Sequence, residues 1–424
     1  MARQSDPLVK PRDIMPETAR TLPAEYYVDR AYFDREMDRL FARTWVCAGR
    51  TEQVDPPGRF FVRELLGEQI IITGSGYPHG RDAPGVTPGD VQVSVFYNVC
   101  RHRGTRLCTA SEGTFGASIQ CPYHAWTYDL QGRLIGAPHM DEVPHFRKED
   151  YPLHRVQADV WDGHIFINLD PAPAPLSAQL ADLREKFRPW GMERLRLGRR
   201  IVYDVKANWK LIIQNYSECL HCPNLHPALN RLSHYLSGEN EPLRPTYMGG
   251  RMDLRPGVDT LSTDGSRPRA FLPGLSAEDR RRVYYYAIFP NMLLSLHPDY
   301  MLVHTLWPVA PDRTINICEW HFDPEERQRE GFDPSDCVEF WDMTNRQDWH
   351  VCELSQAGIS SRAYTPGPYS NREDLLFAFD RFIVRLHEEE VGEGAECREK
   401  TKETEETKPS DRKNGATEST EKTV

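Results

Sequence analysis

The spacing of apolar residues changes along the chain, and each spacing predicts a different kind of structure. Around residues 29–43, apolar side chains recur at helical intervals, which predicts an amphipathic helix. From residue 45 to about 169, short runs of β-branched and aromatic residues alternate with Gly and Pro turns, which predicts a small antiparallel β domain. Longer strand-like runs follow between about 283 and 322, and two more helical patterns lie at 335–356 and 371–388.

These patterns predict an α+β chain in four parts. An N-terminal segment with its helix covers residues 1–44 and packs on the larger domain. The small antiparallel β domain covers 45–170, and a larger α+β domain with an antiparallel sheet covers 171–390. Residues 391–424 are expected to be a disordered tail, because almost no apolar side chain is present there to offset the entropy of ordering.

Composition excludes several classes of function. The formal charge of the 424 residues is −11, but residues 388–424 hold twelve acids against seven bases, so the remainder is only modestly acidic. Without a basic face, nucleic-acid binding is not expected. No apolar run reaches membrane-spanning length. The ten Cys residues are scattered and show no spacing typical of a disulfide framework, which fits a reducing cytoplasm.

The strongest chemical signal is a pair of Cys/His motifs within the β domain. Cys100 and His102 read Cys-Arg-His, and after eighteen residues Cys121 and His124 read Cys-Pro-Tyr-His. Two thiolates and two imidazoles on paired loops are the ligands of a Rieske [2Fe–2S] cluster. Tetrahedral zinc is the alternative. Zinc motifs, however, favour two Cys or two His separated by two to five residues, whereas each pair here consists of one Cys and one His.

A second group of metal-binding residues lies in the larger domain, within NWKLIIQNYSECLHCPNLHP. Glu218 precedes His221 by three residues, so on a helix the two side chains would share a face. His226 follows five residues later, and Pro223 indicates a bend that would let the two His converge. Two His and one carboxylate form the facial triad of non-heme Fe(II) oxygenases. Asp348, on a helical stripe with Trp and Cys, is a candidate third ligand; from periodicity alone it could equally be a buried salt-bridge partner or a solvated acid.

The motifs together resemble the α subunits of Rieske non-heme iron oxygenases, over roughly residues 25–390. The resemblance is carried by CRHRGTRLC, CPYHAW, the NWK-(x)10-H-(x)4-H stretch and TNRQDWHVCELSQAG. It implies a helix-grip-like catalytic domain, a mononuclear Fe(II) held by His221, His226 and Asp348, and Glu218 as the acid that bridges two subunits. Most members have Asp where this chain has Glu218, and Glu is typical of the branch that acts on choline, glycine betaine or carnitine. Many members also have Gly where this chain has Ala125.

The resemblance implies an oxidoreductase that hydroxylates an organic substrate with O2, as a monooxygenase or a dioxygenase. Electrons would come from NAD(P)H and flavin through a separate reductase, with or without a ferredoxin, because the chain has no Gly-rich nucleotide fingerprint. The resemblance also implies a homotrimer, in which electrons pass between neighbouring subunits. The substrate would be a quaternary amine or an aromatic ring compound. A Rieske electron carrier without oxygenase activity and a zinc-stabilised structural protein are the alternatives.

Other residues carry weaker signals. The pair Cys219 and Cys222 is expected to pack among the iron ligands rather than to perform redox chemistry. Three His residues in strand-like segments are expected to be buried or to line a pocket: His297, His304 and His321. A cation-binding pocket could draw on aromatic residues of the second domain, most of which are expected to pack strands: Tyr284, Tyr285, Tyr286, Phe289, Tyr300 and Trp307.

Overall fold

The structure is a computed structural model that describes residues 15–78 and 91–388. The predicted disordered tail lies outside these residues. Among the described helices, each one is too short or too polar to cross a lipid bilayer.

The helix predicted around residues 29–43 is observed over Arg30–Phe41, and a short helix precedes it. Helix α1 covers Glu25–Val28, and α2 covers Arg30–Glu36 and continues as a π-helical turn over Met37–Phe41. Asp29 separates them because its backbone is extended and its carboxylate caps α2, accepting a hydrogen bond from the Ala31 N–H at 2.7 Å. The apolar face then packs on the larger domain, where the ring of Phe41 lies 5.3 Å from that of Trp209.

The predicted β domain is confirmed as a set of small antiparallel sheets. Their orders are β1-β10-β9, β4-β3-β2-β5 and β6-β7-β8. The strands cover Val46–Arg50 (β1), Arg59–Leu65 (β2), Glu68–Gly76 (β3), Gln92–Tyr97 (β4), Glu112–Thr114 (β5), Ser118–Gln120 (β6), Thr127–Asp129 (β7), Leu134–Gly136 (β8), Gln157–Trp161 (β9) and His164–Asn168 (β10).

The larger domain is α+β, as expected, and its centre is an antiparallel sheet in the order β11-β17-β16-β15-β14-β13-β12. Its strands cover Arg196–Val205 (β11), Glu239–Asn240 (β12), Tyr247–Asp253 (β13), Arg282–Ile288 (β14), Met292–Leu296 (β15), Met301–Ala310 (β16) and Arg313–Phe322 (β17). Its helices cover Leu176–Gln179 (α3), Ala181–Phe187 (α4), Trp209–Tyr216 (α5), Cys222–Leu225 (α6), Pro227–Leu232 (α7), Pro324–Gln328 (α8), Ser335–Ile359 (α9) and Asp374–Glu388 (α10).

Strand register divides this sheet into two faces. Tyr285 pairs with Ser295, and Ser295 pairs with Leu302, so these three side chains project from the same face. The residues between them project from the other face, where Tyr284 and Tyr286 join a buried apolar cluster with helix α4. Period-two alternation therefore assigns adjacent tyrosines of one strand to different environments.

A buried ion pair fixes the helix that leads to the predicted iron ligands. Lys210 of α5 is fully buried, and its Nζ lies 2.7 Å from both carboxylate oxygens of Glu36 of α2. The Trp209 Nε1–H donates to the same carboxylate at 2.9 Å, and the Asn208 side chain caps α5 by accepting from the Lys210 N–H. Removing one member of such a pair would leave an uncompensated buried charge, which is strongly destabilising. The NWK sequence thus anchors the start of α5.

The first of the two long helices begins at the predicted residue, and the second begins three residues later than predicted. Helix α9 begins at Ser335, and the Asp333 carboxylate accepts from the Ser335 N–H at 2.9 Å. Helix α10 begins at Asp374, and the Glu373 carboxylate accepts from the Ser370 N–H at 2.7 Å. Asp333 and Glu373 therefore satisfy backbone donors at or just before the start of each helix.

Candidate functional site: two metal-binding groups and a cavity

The two predicted cluster loops share one backbone pattern. In the first, the Cys100 N–H donates to the Thr105 carbonyl and the Gly104 N–H donates to the Cys100 carbonyl. In the second, the Cys121 N–H donates to the Trp126 carbonyl and the Ala125 N–H donates to the Cys121 carbonyl. Gly104 and Ala125 occupy equivalent positions, with φ of 73° and 55°. A left-handed backbone here explains why Gly suits the position that Ala125 holds.

The loops present thiols inward and imidazoles outward. Cys100 and Cys121 are buried, and the His102 and His124 rings lie 4.7 Å apart nearer the surface. Trp126 stacks on His102 at 4.8 Å. Burial raises the pKa of the Cys100 thiol, and neighbouring Cys121 raises it further, so a thiolate there needs a metal to stabilise its charge.

The His102 imidazole favours the neutral form. Desolvation lowers the pKa of His102, and the neighbouring His124 lowers it further. Two thiols on one side and two imidazoles on the other are donors that suit the two irons of a Rieske cluster.

A second group brings together the three side chains predicted to bind mononuclear iron. One ligand atom from each of His221, His226 and Asp348 lies within 4.8 Å of the others. The Asp348 Oδ1 is 2.7 Å from the His226 Nε2 and 3.5 Å from the His221 Nε2. Two imidazole nitrogens and a carboxylate oxygen facing one point are a donor set for a divalent ion such as Fe(II).

The opposite nitrogen of each His is held by a second side chain. The His221 Nδ1 lies 2.5 Å from the Glu218 Oε1, and the His226 Nδ1 lies 2.7 Å from the Gln347 Oε1. These contacts fix both rings with Nε2 directed to Asp348, as outer partners of metal-binding His do. Burial alone would lower the pKa of His221, but the hydrogen bond and charge of Glu218, with the charge of Asp348, raise it. Sequence reasoning missed Gln347, because no motif or periodicity distinguishes an amide beside a ligand.

The local backbone differs from the helix considered for Glu218 and His221. Helix α5 ends at Tyr216, and the Glu218–His221 pair forms across a turn. The chain bends at His226, whose φ of −123° and ψ of 62° separate α6 from α7. Pro223 lies in the first turn of α6, where its missing N–H costs nothing. The predicted convergence of the two His is therefore observed, with the bend three residues later than Pro223.

The Asp348 carboxylate lies on helix α9. Its predicted stripe is oriented inward: Trp341, Asn345 and Cys352 are buried, and the Asp348 side chain is 14% exposed. Of this stripe, Trp341, Asn345 and Asp348 line a common cavity.

The cavity is about 1110 Å³, open mouth included, and lies between α9, the α5–α7 segment and one face of the large sheet. Tyr216, Tyr285, Trp341 and Trp349 give it an aromatic wall. Among the six aromatics proposed from sequence, Tyr285 lines the cavity; Tyr284 and Tyr286 project from the opposite face. His304 also lines it, whereas His297 and His321 are buried outside it, as the sequence analysis expected for strand-borne His.

The Cys219–Cys222 pair is joined by a disulfide rather than merely packed. Cys219 follows Glu218, Cys222 is the first residue of α6, and both residues line the cavity. The expectation of two packed thiols is therefore wrong, because the turn that pairs Glu218 with His221 also brings the two sulfurs together.

Two segments of the chain match the models of known protein families. Residues 44–147 match the Rieske [2Fe-2S] domain, and residues 192–389 match the ring hydroxylating alpha subunit (catalytic domain). The glycine betaine monooxygenase oxygenase subunit of Pseudomonas aeruginosa is 30% identical over 378 residues, covering 82% of this chain and 85% of that protein. The carnitine monooxygenase oxygenase subunit of Escherichia coli is 29% identical, covering 82% and 87%.

Solved structures share the fold. A quaternary ammonium Rieske monooxygenase structure concerned with carnitine oxidation is 25% identical, with a TM-score of 0.71 over 89% of this chain and 100% of that chain. Naphthalene 1,2-dioxygenase from Rhodococcus sp. is 21% identical, with a TM-score of 0.62 over 86% and 94%. The similarity to naphthalene 1,2-dioxygenase shows a shared fold only.

Proposed function

Because the chain belongs to the family of Rieske oxygenase α subunits, we propose that it is the oxygenase component of a monooxygenase that oxidises a quaternary amine next to its nitrogen. The observation that carries the proposal is the convergence of His221, His226 and Asp348 on one wall of an aromatic cavity. As a member of this family, the protein is an oxidoreductase that uses O2 and electrons from a separate reductase. This membership leaves the electron-carrier alternative without support.

Each side chain of the site has a distinct role in the proposal. Cys100, Cys121, His102 and His124 hold the [2Fe–2S] cluster, and His221, His226 and Asp348 hold the ferrous ion. When bound, the cluster supplies single electrons and the ferrous ion activates dioxygen. Glu218 and Gln347 hold the two imidazoles in the orientation that binding requires.

The cavity performs the remaining tasks. Its aromatic wall excludes water, so that oxidising equivalents reach the substrate. The faces of Tyr216, Tyr285 and Trp341 can hold an ammonium group by cation–π attraction. A trimethylammonium substrate is further supported by the relatives, whose names specify glycine betaine and carnitine.

The reaction on a methyl group balances as follows. One oxygen atom enters a methyl C–H bond to give an N-hydroxymethyl group, and the other oxygen leaves as water with two electrons and two protons from the reductase side. The N-hydroxymethyl product releases formaldehyde, a proton and the tertiary amine. Oxidation of the longer carbon chain would instead release trimethylamine and an aldehyde.

The proposal includes a homotrimer in which Glu218 links the cluster of one subunit to the ferrous ion of the next. Two features support it. The His102 and His124 rings lie near the surface of the β domain, and the Glu218 side chain keeps 14% of its area exposed while binding His221. A related structure is described in terms of inter-subunit electron transfer.

The test uses iron-loaded protein with a suitable reductase and NADH. We expect O2 uptake coupled to formaldehyde or trimethylamine with glycine betaine, carnitine or choline, and no coupled product with benzoate or naphthalene. His221→Ala should abolish turnover and retain the visible spectrum of the cluster. Coupled hydroxylation of an aromatic ring, with no product from any quaternary amine, would contradict the proposed substrate class.

A further inference from the structure

Two buried N–H donors in the cavity wall lack a partner. Within the described residues, three residues that line the cavity also have a buried side-chain nitrogen without a hydrogen bond: Arg251, His304 and Trp349. His304 and Trp349 are 3% and 6% exposed, and their rings lie 5.9 Å apart. A buried donor without a partner is costly, so such atoms commonly await a ligand or a water molecule.

Hydrogen bonding identifies which nitrogen of His304 carries the proton. The Tyr203 hydroxyl donates to the Asp342 Oδ1 at 2.7 Å, so its lone pairs accept from the Asn345 Nδ2 at 3.4 Å. The same amide nitrogen lies 3.4 Å from the His304 Nε2, which is therefore an acceptor. A neutral ring then carries its hydrogen on Nδ1, the atom without a partner. Burial lowers the pKa of His304 to about 3, which keeps the ring neutral.

Arg251 is not the corresponding partner for an anion. In strand β13 it pairs with Glu239 and with Tyr284, so its side chain projects from the sheet face opposite to Tyr285. There its Nη2 donates to the Glu239 Oε2 at 2.8 Å, and its Nη1 lies 3.7 Å from the Asp253 Oδ1. Two carboxylates therefore already compensate its charge.

We propose that His304 and Trp349 form a hydrogen-bonding subsite for the carboxylate of a zwitterionic trimethylammonium substrate, with Nδ1–H and Nε1–H as the two donors. This inference rests on the proposed function and adds the residues that select the substrate. The ammonium end lies among Tyr216, Tyr285 and Trp341. The His304 and Tyr216 rings meet edge to face with their centroids 6.4 Å apart, so the proposed donor and the aromatic group are neighbours in the cavity wall.

Charge favours a zwitterion over a simple anion. His304 on the sheet and Trp349 on α9 are neutral donors, and the nearby Asp348 and Glu218 are acidic. The basic residue Arg372 also lines the cavity, but it lies just before α10 rather than on the sheet or on α9. A carboxylate that carries its own ammonium group brings the compensating charge with it. Two donors on different elements, β16 and α9, also orient the chain relative to Asp348, which directly precedes Trp349.

The experiment compares glycine betaine and γ-butyrobetaine with their methyl esters, which keep the ammonium group but not the anionic charge. Binding to the anaerobic holoprotein is measured by calorimetry, alongside KM and kcat. Wild-type protein should bind at least one zwitterion at least tenfold more tightly than its ester. His304→Phe and Trp349→Phe should each weaken zwitterion binding about 10- to 100-fold, and change ester binding less than threefold.

His304→Asn serves as the conservative variant, because an amide nitrogen can replace the Nδ1 donor, and it should recover most of the zwitterion affinity. The cluster spectrum and the melting temperature establish that each variant is folded. Equal losses for zwitterion and ester, or unchanged binding of both, would overturn the subsite while leaving quaternary-amine oxidation intact. Failure of the wild-type protein to bind or oxidise any of these amines would overturn the proposed function and the subsite together.

Discussion

Gln347 provides the sharpest test of how the ferrous ion is held. Its Oε1 lies 2.7 Å from the Nδ1 of His226, a residue that is only 2% exposed. Gln347→Leu removes the acceptor and leaves a buried N–H without a partner, which costs about 1–3 kcal/mol. The ring would then lose its preference for the tautomer with a free Nε2. Since 1.4 kcal/mol is a factor of ten, the affinity for Fe(II) should fall roughly 5- to 150-fold.

The assay is Fe(II) competition with a chelator under anaerobic conditions, with the cluster absorbance as an internal reference for folding. Gln347→Glu keeps an oxygen acceptor and adds negative charge, so it should bind Fe(II) at least as tightly as the wild type. His350→Gln, an exposed position on the same helix, is the matched control and should change nothing. If Gln347→Leu retained wild-type Fe(II) affinity while the protein stayed folded, the argument that this amide positions His226 would be wrong.

Four further predictions concern other parts of the molecule. Asp348→Ala should lose the mononuclear iron in metal analysis and reduce turnover by at least 100-fold, while the cluster content stays unchanged. Glu218→Gln should keep both metals, because the amide oxygen can still accept from His221, yet slow inter-subunit electron transfer at least tenfold in single-turnover measurements; an unchanged rate would exclude Glu218 as the bridge. Ala125→Val should lower the temperature at which the cluster absorbance is lost, because a β-branched residue at φ 55° is strained by about 1–3 kcal/mol. Burial raises the pKa of Asp380 to about 7, outweighing the hydrogen bonds from Tyr369 and Gln214 that lower it. The unfolded chain releases this proton at lower pH than the folded chain, so the free energy of unfolding should decrease as the pH rises from about 4 to 7. Asp380→Asn should therefore flatten that pH dependence and raise the melting temperature at pH 8, and a variant that melts lower at pH 8 would count against this account.

The structure accounts for two sequence features that the family resemblance only indicated. The NWK residues matter because Asn208 caps α5 and Lys210 pairs with Glu36, which fixes the helix that leads to His221. Ala125 matters because it shares a left-handed backbone position with Gly104 in the partner loop. The NWK motif is therefore explained by a distant residue, Glu36, and Ala125 is explained by its equivalent in the other loop, Gly104.

The sequence by itself determined the chemistry that is written in local spacing. Donor types and intervals predicted the loops at Cys100 and Cys121 and the two His of the second group as metal-binding candidates, because ligands from one loop are constrained by a few residues of backbone. Helical periodicity likewise assigned Asp348 to an inward stripe of α9. Family resemblance, rather than periodicity, selected it as a ligand.

Tertiary structure decided everything that depends on which elements meet. Gln347 reaches His226 only because α9 crosses the α6–α7 bend, 121 residues away in the chain. Tyr285 lines the cavity while Tyr284 and Tyr286 do not, because strand register, and not composition, selects the face. His304 and Trp349 become neighbours across a sheet and a helix, a contact between residues 45 positions apart that no local pattern encodes. The backbone constrains the geometry of residues that are close in sequence. These contacts instead join residues that are far apart in sequence, and they form only when the whole domain has folded.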